Sequence, residues 1–324
     1  MKYRRLGGSG LQVSVLSYGA WVTFSDHIGE KEAAKCMRTA YDAGVNFFDN
    51  AEGYAGGKAE VMMGSIFKKM GWPRDTWLVS SKVFFGAERK GPNQTGLSRK
   101  HVFEACDAAL QRLQVDYLDL YFCHRPDPDT PVEETVRAMN DLIRLGKVLY
   151  WGTSEWEPKQ LQAAYDVADR LGLIGPQMEQ PQYHLFHREN VEKKLDPFVK
   201  KRGLGTTTWS PLGAGLLTGK YRHGVPKDSR GALPKYEWLR ERFVDDDAKA
   251  KLPRLEKLGA LADKLDMKLP QLALAWCIQC PNVSTVITGA SKASQVEENM
   301  QAVELTDRLT ANVMAKIDRI LAEK

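Results

Sequence analysis

The sequence predicts a (β/α)8 barrel, eight parallel strands each followed by a helix and closed into a cylinder. Three observations point to it. Short apolar runs precede amphipathic helical stretches eight times along the chain. The runs are short and rich in β-branched and aromatic residues, the pattern of strands buried on both faces. The 324 residues suit one barrel of about 250 residues with insertions, and residues 1–324 are read as a single barrel domain.

The units follow in order. "VSVLSYG" ends near Tyr18 and precedes a helix over 30–43; "VNFFDN" precedes one over 58–70. "TWLVSSKV" leads to "SRKHVFEACDAALQRLQ", where Ser98 is an N-cap and Val102, Cys106, Ala109, Leu110 and Leu113 fall at helical spacing. "YLDLYFCH" leads to "PVEETVRAMNDLIRLG", with Thr130 expected as N-cap, Pro131 at the helix start and two glutamates in the first turn. "VLYWGTS" precedes "PKQLQAAYDVADRLG", and "PQMEQPQ" precedes a helix over 190–201. "GLGTTTWSP" is followed by a long loop and a helix expected from about Pro253 to Leu265; "STVITGAS" precedes "SQVEENMQAVEL". Three pieces stand outside the units: a hairpin around "GGSG" expected to close the barrel floor, a Gly-, Pro- and charge-rich loop over 213–250, and a C-terminal amphipathic helix expected outside the barrel.

Composition narrows the function. Hydrophobic residues make up 43% and charged residues 27%, as in ordinary globular chains. No run of about 18 apolar residues is present, so membrane insertion is not expected. The N-terminus has two arginines but no apolar signal core, so the expected location is cytoplasmic. A net charge of +5 spread along the chain excludes a nucleic-acid stripe but leaves room for a local anion site. Five cysteines without a secretory signal read as reduced thiols. Cys277 and Cys280 form "CIQC" on an apolar helix with no second pair nearby, and are read as core side chains and not as a redox or zinc motif. "YHLFH", with His184 and His187, reads as surface or interface histidines; no metal is expected.

A barrel keeps its chemistry at the C-terminal ends of its strands. There the second strand ends at Asp49, the third at Lys82, the fourth at His124, the fifth at Ser154 and the sixth at Gln180, with Tyr54 in the loop after Asp49. Singly, each has an ordinary explanation as a cap, a surface lysine or a structural histidine. Together they describe an acid–base device. A phenol with a pKa near 10 donates poorly at neutral pH; an adjacent ammonium is expected to lower that value. A carboxylate keeps the ammonium charged, and a histidine orients a carbonyl oxygen. Such a set protonates an oxyanion and supplies no electrons, so a hydride donor is implied.

In their contexts, "FFDNAEGY", "SSKVF" and "YFCHRPD" closely resemble the aldo-keto reductases, and so do "GLSRKHVFEACDAALQRLQVDYLDL", "VLYWGTSEW", "TTWSPLGAGLLTGKY" and "ITGASKASQVEENMQA". The resemblance covers nearly the whole chain, and its nearest branch includes potassium-channel β-subunits and their microbial and plant relatives. It implies an NADPH-dependent reductase of aldehydes, extending to ketones, on a barrel without a Rossmann domain; no G-x-G-x-x-G follows a first strand here. It implies Tyr54 as acid/base, Lys82 and Asp49 as its tuners, and His124 as the group that orients the carbonyl. It further implies that Ser154 and Gln180 hold the nicotinamide amide, Trp209 stacks on the ring, and Trp21 lines the pocket beside it. "WSPLGAG", including Ser210, Pro211, Leu212, Gly213 and Gly215, would follow the pyrophosphate; Lys220 and Arg230 would face phosphate; Gly289, Ser291, Gln295, Glu298 and Asn299 would take the adenosine end. Phe84, Phe85 and Trp156, with the loop near Tyr236 and Trp238, are expected in an aromatic substrate wall suited to aryl carbonyls. Two departures from channel-type members stand out: His124 in place of asparagine, and Glu155 in place of arginine. The other implied role is a cofactor-binding, redox-sensing channel subunit, for which a tetramer would be compatible; the intact acid–base set weighs against it.

Overall fold

In the computed structural model, which describes residues 1–221, 224–226, 232, 237 and 245–323, eight parallel strands close into a barrel. An antiparallel hairpin, β1 (Tyr3–Arg5) and β2 (Gln12–Ser14), comes first. The barrel strands are β3 (Leu16–Gly19), β4 (Phe47–Asp49), β5 (Leu78–Val83), β6 (Leu118–Cys123), β7 (Val148–Thr153), β8 (Met178–Glu179), β9 (Gly205–Thr208) and β10 (Thr285–Thr288), which pairs back to β3.

Between them run α1 (Glu30–Asp42), α2 (Lys58–Met70), α3 (Arg99–Leu113), α4 (Val132–Arg144), α5 (Pro158–Leu171) and α6 (Asp196–Arg202), the last preceded by a π-helical turn at Asn190–Lys194. The helix starts have identifiable causes. Ser98 accepts from the backbone of His101 to begin α3. A reciprocal bond between Glu157 and Gln160, with Pro158 in the first turn, begins α5. At α4 the expected cap is corrected: Pro131 occupies the N-cap position without a side-chain bond, and the Thr130 hydroxyl donates instead to Asp127 at 2.7 Å.

The crossover from β9 to β10 also departs from expectation. It contains two helices, α7 (Asp246–Lys264) and α8 (Leu269–Gln279). The first begins earlier than expected because the Asp245 carboxylate accepts from Ala248 N at 2.7 Å, and Pro253 lies inside it. It is α8, buried almost throughout, that packs against β10 as the barrel's seventh helix; α7 lies outside it with the C-terminal α10 (Ala311–Ala322). The eighth helix is α9 (Ala293–Gln301). Cys277 is buried on α8, but Cys280 caps its end and is half-buried; all five cysteines are free thiols.

The strands divide the interior by their period of two. One set of side chains, Phe47, Leu120, Phe122, Met178 and Ile287, fills the lower barrel with Leu6 and Val13 of the hairpin, which closes the floor as expected. The opposite set, including Val79, Tyr121 and Trp151, packs into the larger core beneath the helices. Among the described residues no helix is long and apolar enough to cross a membrane.

Close helix packing sets one sharp constraint. A Cβ built on Gly64 in α2 would lie 2.5 Å from the Arg112 carbonyl oxygen and 2.6 Å from backbone atoms of Leu113. Helix propensity alone would reward Gly64→Ala by about 1 kcal/mol. The backbone clash reverses the sign, because neither helix can yield without moving its neighbours, and overpacking costs about 1–3 kcal/mol. Thermal unfolding of Gly64→Ala is therefore expected to shift down by several degrees; an unchanged or raised midpoint would show that the α2–α3 contact is not tight.

Candidate active site

The strand ends bring the predicted ionisable groups into one cluster. Lys82 leaves β5 with its side chain fully buried. Its ammonium donates to Asp49 Oδ2 at 2.7 Å, to the Asn50 carbonyl at 2.7 Å and to the Tyr54 hydroxyl at 3.0 Å. Asp49, at the end of β4, also accepts from Ser80 at 2.8 Å and from Gln180 Nε2 at 3.0 Å. Tyr54 enters from a 3-10 turn, Tyr54–Gly57, in which Ala55, Gly56 and Gly57 all have positive φ. This folds the loop back so that the phenol lies over the strand ends, with the Lys82 ammonium 4.6 Å from its ring centre. His124 sits beside it, with ring centres 5.8 Å apart and planes at 75°.

The electrostatics correct one expectation. Burial pushes the Tyr54 phenol upward, and the nearby Lys82 charge only partly offsets this. The phenol is thus held protonated, instead of being shifted down. For Lys82, burial disfavours the charge, but Asp49 and Tyr54 together outweigh it and hold the ammonium above its ordinary range. His124 is driven well below the ordinary imidazole range by burial, reinforced by Lys82 and Arg125, and is neutral. Among the described residues nothing hydrogen-bonds its Nδ1.

These groups open into a cavity of about 790 Å3. Trp21, Asp49, Tyr54, Phe85, His124, Ser154, Gln180, Trp209, Ser210, Pro211, Leu212, Gly215, Lys220, Gly289, Ser291, Gln295, Glu298 and Asn299 all line it. Trp21 meets Trp209 edge to face, 5.7 Å between centres. The turn after β9 has positive φ at Ser210, Gly213, Ala214 and Gly215, and so lays its backbone along the wall. Ser291 and Gln295 are joined at the start of α9. A long cavity with polar strand ends at one side, a backbone turn and Lys220 in its middle and a helix start at the other fits a dinucleotide by shape and donor chemistry.

Several expected residues fall elsewhere. Gly213 shapes the turn without lining the cavity, since its left-handed backbone turns it toward His184. Phe84 is not a wall residue either; it packs behind Phe85, which alone of the pair faces the cavity, because successive residues point to opposite sides. Trp156 is buried in the helix-side core. Arg230, Tyr236 and Trp238 lie outside the described residues. His184 is corrected from surface to interior. It bonds Gln182 and the Phe186 backbone and is pushed down to about 3 by burial and by His187 and Lys251. Among the described residues no His, Cys, Asp and Glu side chains are grouped as metal ligands would be.

Three residues carry more than the sequence suggested. Arg125, next to His124 in "HRPD", donates to the His124 carbonyl and reaches Ser154 Oγ at 3.4 Å on the cavity rim. Glu52, inside "FFDNAEGY", is buried and accepts from Phe84 N and Gly86 N at 2.8 Å each and pairs with His101 at 3.3 Å. It ties the loop carrying Phe85 to the loop carrying Tyr54. Glu155, half-buried with φ 58°, accepts from the Trp209 indole at 2.8 Å and from Gln182 N at 2.6 Å. The one signal available for all three was proximity to a strand-end motif.

Fold and site together define a (β/α)8 barrel oxidoreductase. A sequence model described as the Aldo/keto reductase family matches residues 15–322, and the chain belongs to that family, whose members generally use NAD(P)H. The chain is similar over its whole length to two proteins each named a probable voltage-gated potassium channel subunit beta. One, from Arabidopsis thaliana, is 50% identical over 325 aligned residues covering 100% of this chain and 98% of the relative. The other, from Oryza sativa subsp. japonica, is 51% identical with the same coverage.

Two stability outcomes follow from the burial of charge. Lys82→Met leaves the Asp49 carboxylate buried beside a methyl group, and breaking a buried pair from one side costs about 3–5 kcal/mol; denaturant unfolding should show a loss of that order, and a loss below about 1 kcal/mol would mean the pair is not shielded. Glu179 lies behind the site, bonded by Thr153, and burial, added to by Glu155, pushes its carboxyl from 4.5 up to about 8. Its folded pKa is raised, so the folded state keeps a proton that the unfolded chain releases, and this contribution falls as pH rises from about 5 to about 8. Against Glu179→Gln, which stays neutral, the wild type should lose relative stability across that window; parallel unfolding midpoints for the two would contradict the shift.

Proposed function

We propose that this protein is an NADPH-dependent reductase of aldehydes, and of ketones that fit the same wall, with Tyr54 as general acid. The observation that carries the reading is the buried Lys82 ammonium 3.0 Å from the Tyr54 hydroxyl, with neutral His124 against the same phenol. NADPH, when bound, supplies the hydride. Trp209 and Trp21 would flank its nicotinamide, with Ser154 and Gln180 at the carboxamide. Lys220 and the turn from Ser210 to Gly215 would meet its phosphates, and Ser291, Gln295, Glu298 and Asn299 its adenosine. As the carbonyl carbon is reduced, negative charge gathers on its oxygen. The Tyr54 O–H donates its proton there, and the phenolate left behind is stabilised by the Lys82 ammonium, itself held charged by Asp49. His124 orients the same oxygen as a neutral hydrogen-bonding group. In the reverse direction the phenolate accepts the alcohol proton. Phe85, packed 5.0 Å from the His124 ring, gives the substrate wall an aromatic surface suited to aryl carbonyls.

The names of the two plant relatives favour a second reading, a cofactor-binding regulatory subunit of a potassium channel. Turnover separates the two. NADPH oxidation with 4-nitrobenzaldehyde at about 1 s⁻¹ or faster supports the reductase; tight NADPH binding with turnover orders of magnitude slower supports the regulatory role.

Tyr54→Phe is expected to keep NADPH binding and to lose about 10²–10⁴-fold in reduction; full activity in that variant would remove Tyr54 from the mechanism. The pH profile carries a second check. His124 is held neutral and Tyr54 protonated, so kcat/KM for reduction should show no limb near pH 6.5 and should fall only on the alkaline side, above the ordinary tyrosine value of about 10. A limb centred near 6.5 would mean that His124 titrates in function.

A further inference from the structure

Behind the cavity wall stands a carboxylate that the mechanism above does not use. Glu155 follows Ser154 at the end of β7 and adopts φ 58°, a left-handed conformation uncommon for a residue with a side chain. Its carboxylate does not line the cavity and instead meets the N–H edge of the Trp209 indole. One oxygen, Oε1, takes both the indole N–H at 2.8 Å and the Gln182 backbone N–H at 2.6 Å. Trp209 N in turn donates to the Pro181 carbonyl, and Tyr183 N donates to the Trp209 carbonyl. Glu155 thereby joins the ends of β7, β8 and β9 and fixes the orientation of the indole, which lines the cavity and meets Trp21 edge to face.

Orientation alone would not require a charge, since a neutral amide oxygen accepts an indole N–H equally well. The charge has a local logic. Asp49 is committed to Lys82, while Arg125 adds a cation to the rim near Ser154. The neighbouring Glu179 carboxyl, pushed up to about 8 by burial, is spoken for by Thr153 and the Trp156 backbone, so Glu155 is the carboxyl behind this wall that meets the indole. An indole that donates to a carboxylate becomes more electron-rich, and an electron-rich indole face attracts a cation stacked on it. Nicotinamide is cationic when oxidised and neutral when reduced.

Resting on the reductase reading, we propose that Glu155 is a positioning residue that acts through Trp209 to favour the oxidised cofactor over the reduced one, easing hydride departure from this site. The test is direct titration of NADP+ and of NADPH, followed by calorimetry, on wild type, Glu155→Gln and Glu155→Ala. Glu155→Gln keeps an acceptor for the indole and removes the charge; it should raise the Kd for NADP+ about three- to tenfold and leave that for NADPH within about twofold. Glu155→Ala should weaken both forms, because the ring loses its tether. In a Trp209→Phe background, where no indole N–H exists, Glu155→Gln should lose its selective effect. Equal shifts for the two forms, no shift, or a selective effect that survives Trp209→Phe would each overturn the proposal while leaving the reductase reading intact. Wild-type protein that bound neither form would overturn both.

Discussion

The buried pair of Lys82 and Asp49 is the interaction on which the mouth of this barrel depends. An ammonium with no solvent exposure is tolerated only because each of its three N–H bonds has an acceptor, and because one of those acceptors is charged. Those acceptors come from β4, from the residue after it and from the loop beyond. Satisfying one lysine therefore fixes the end of β4, the path of the chain through Asn50 and the position of the Tyr54 phenol. Asp49 extends the network to Ser80 on β5 and Gln180 after β8, across the barrel axis. The geometry that the proposed proton transfer from Tyr54 would use is the same geometry needed to keep two charges out of trouble.

The barrel separates stability from chemistry along its axis. Its floor is closed by the hairpin and filled by Phe47, Leu120, Phe122, Met178 and Ile287, an apolar plug that needs nothing from solvent. One step higher along the same strands, the inward positions turn polar: Asp49, Lys82, His124, Ser154 and Gln180. A polar cluster can be held in so dry a place because the plug beneath it is rigid and the strands supporting it are paired on both sides. Burial then sets the protonation states. It keeps the phenol protonated and the imidazole neutral, which suits donation to an oxygen that is gaining charge.

Around this cluster, carboxylates do quieter work. Glu52 ties the Phe85 loop to the Tyr54 loop by accepting two backbone N–H groups, and so couples two loops that line the cavity. Glu60, fully buried, accepts from Ser81 at 2.5 Å and from Arg112 at 2.6 Å and links β5 to α2 and α3. Glu155 holds Trp209. Each sits one residue out of phase with the groups that face the cavity or on the helix behind them, so the inward and outward faces of one strand end serve different purposes.

The eight-unit alternation was legible in the sequence, since it needs only the short apolar runs and the helical spacing between them. So was the gathering of Asp49, Tyr54, Lys82 and His124 at one rim, because strand ends are marked where apolar runs stop. What the order of residues could not decide was which side each neighbour faces and what it meets there. Phe84 and Phe85 are adjacent and chemically alike, yet one packs behind the wall and the other forms it. The helix expected over 253–265 falls within the longer α7, yet α8 took the barrel position because it is apolar on every side and only an interior site can cover it. The direction of the Tyr54 shift depended on burial outweighing a nearby charge, a balance with no trace in residue spacing. Sequence thus determined which groups stand at the barrel mouth; only the tertiary structure decided their burial and partners, because both are properties of strands and loops that meet from distant parts of the chain.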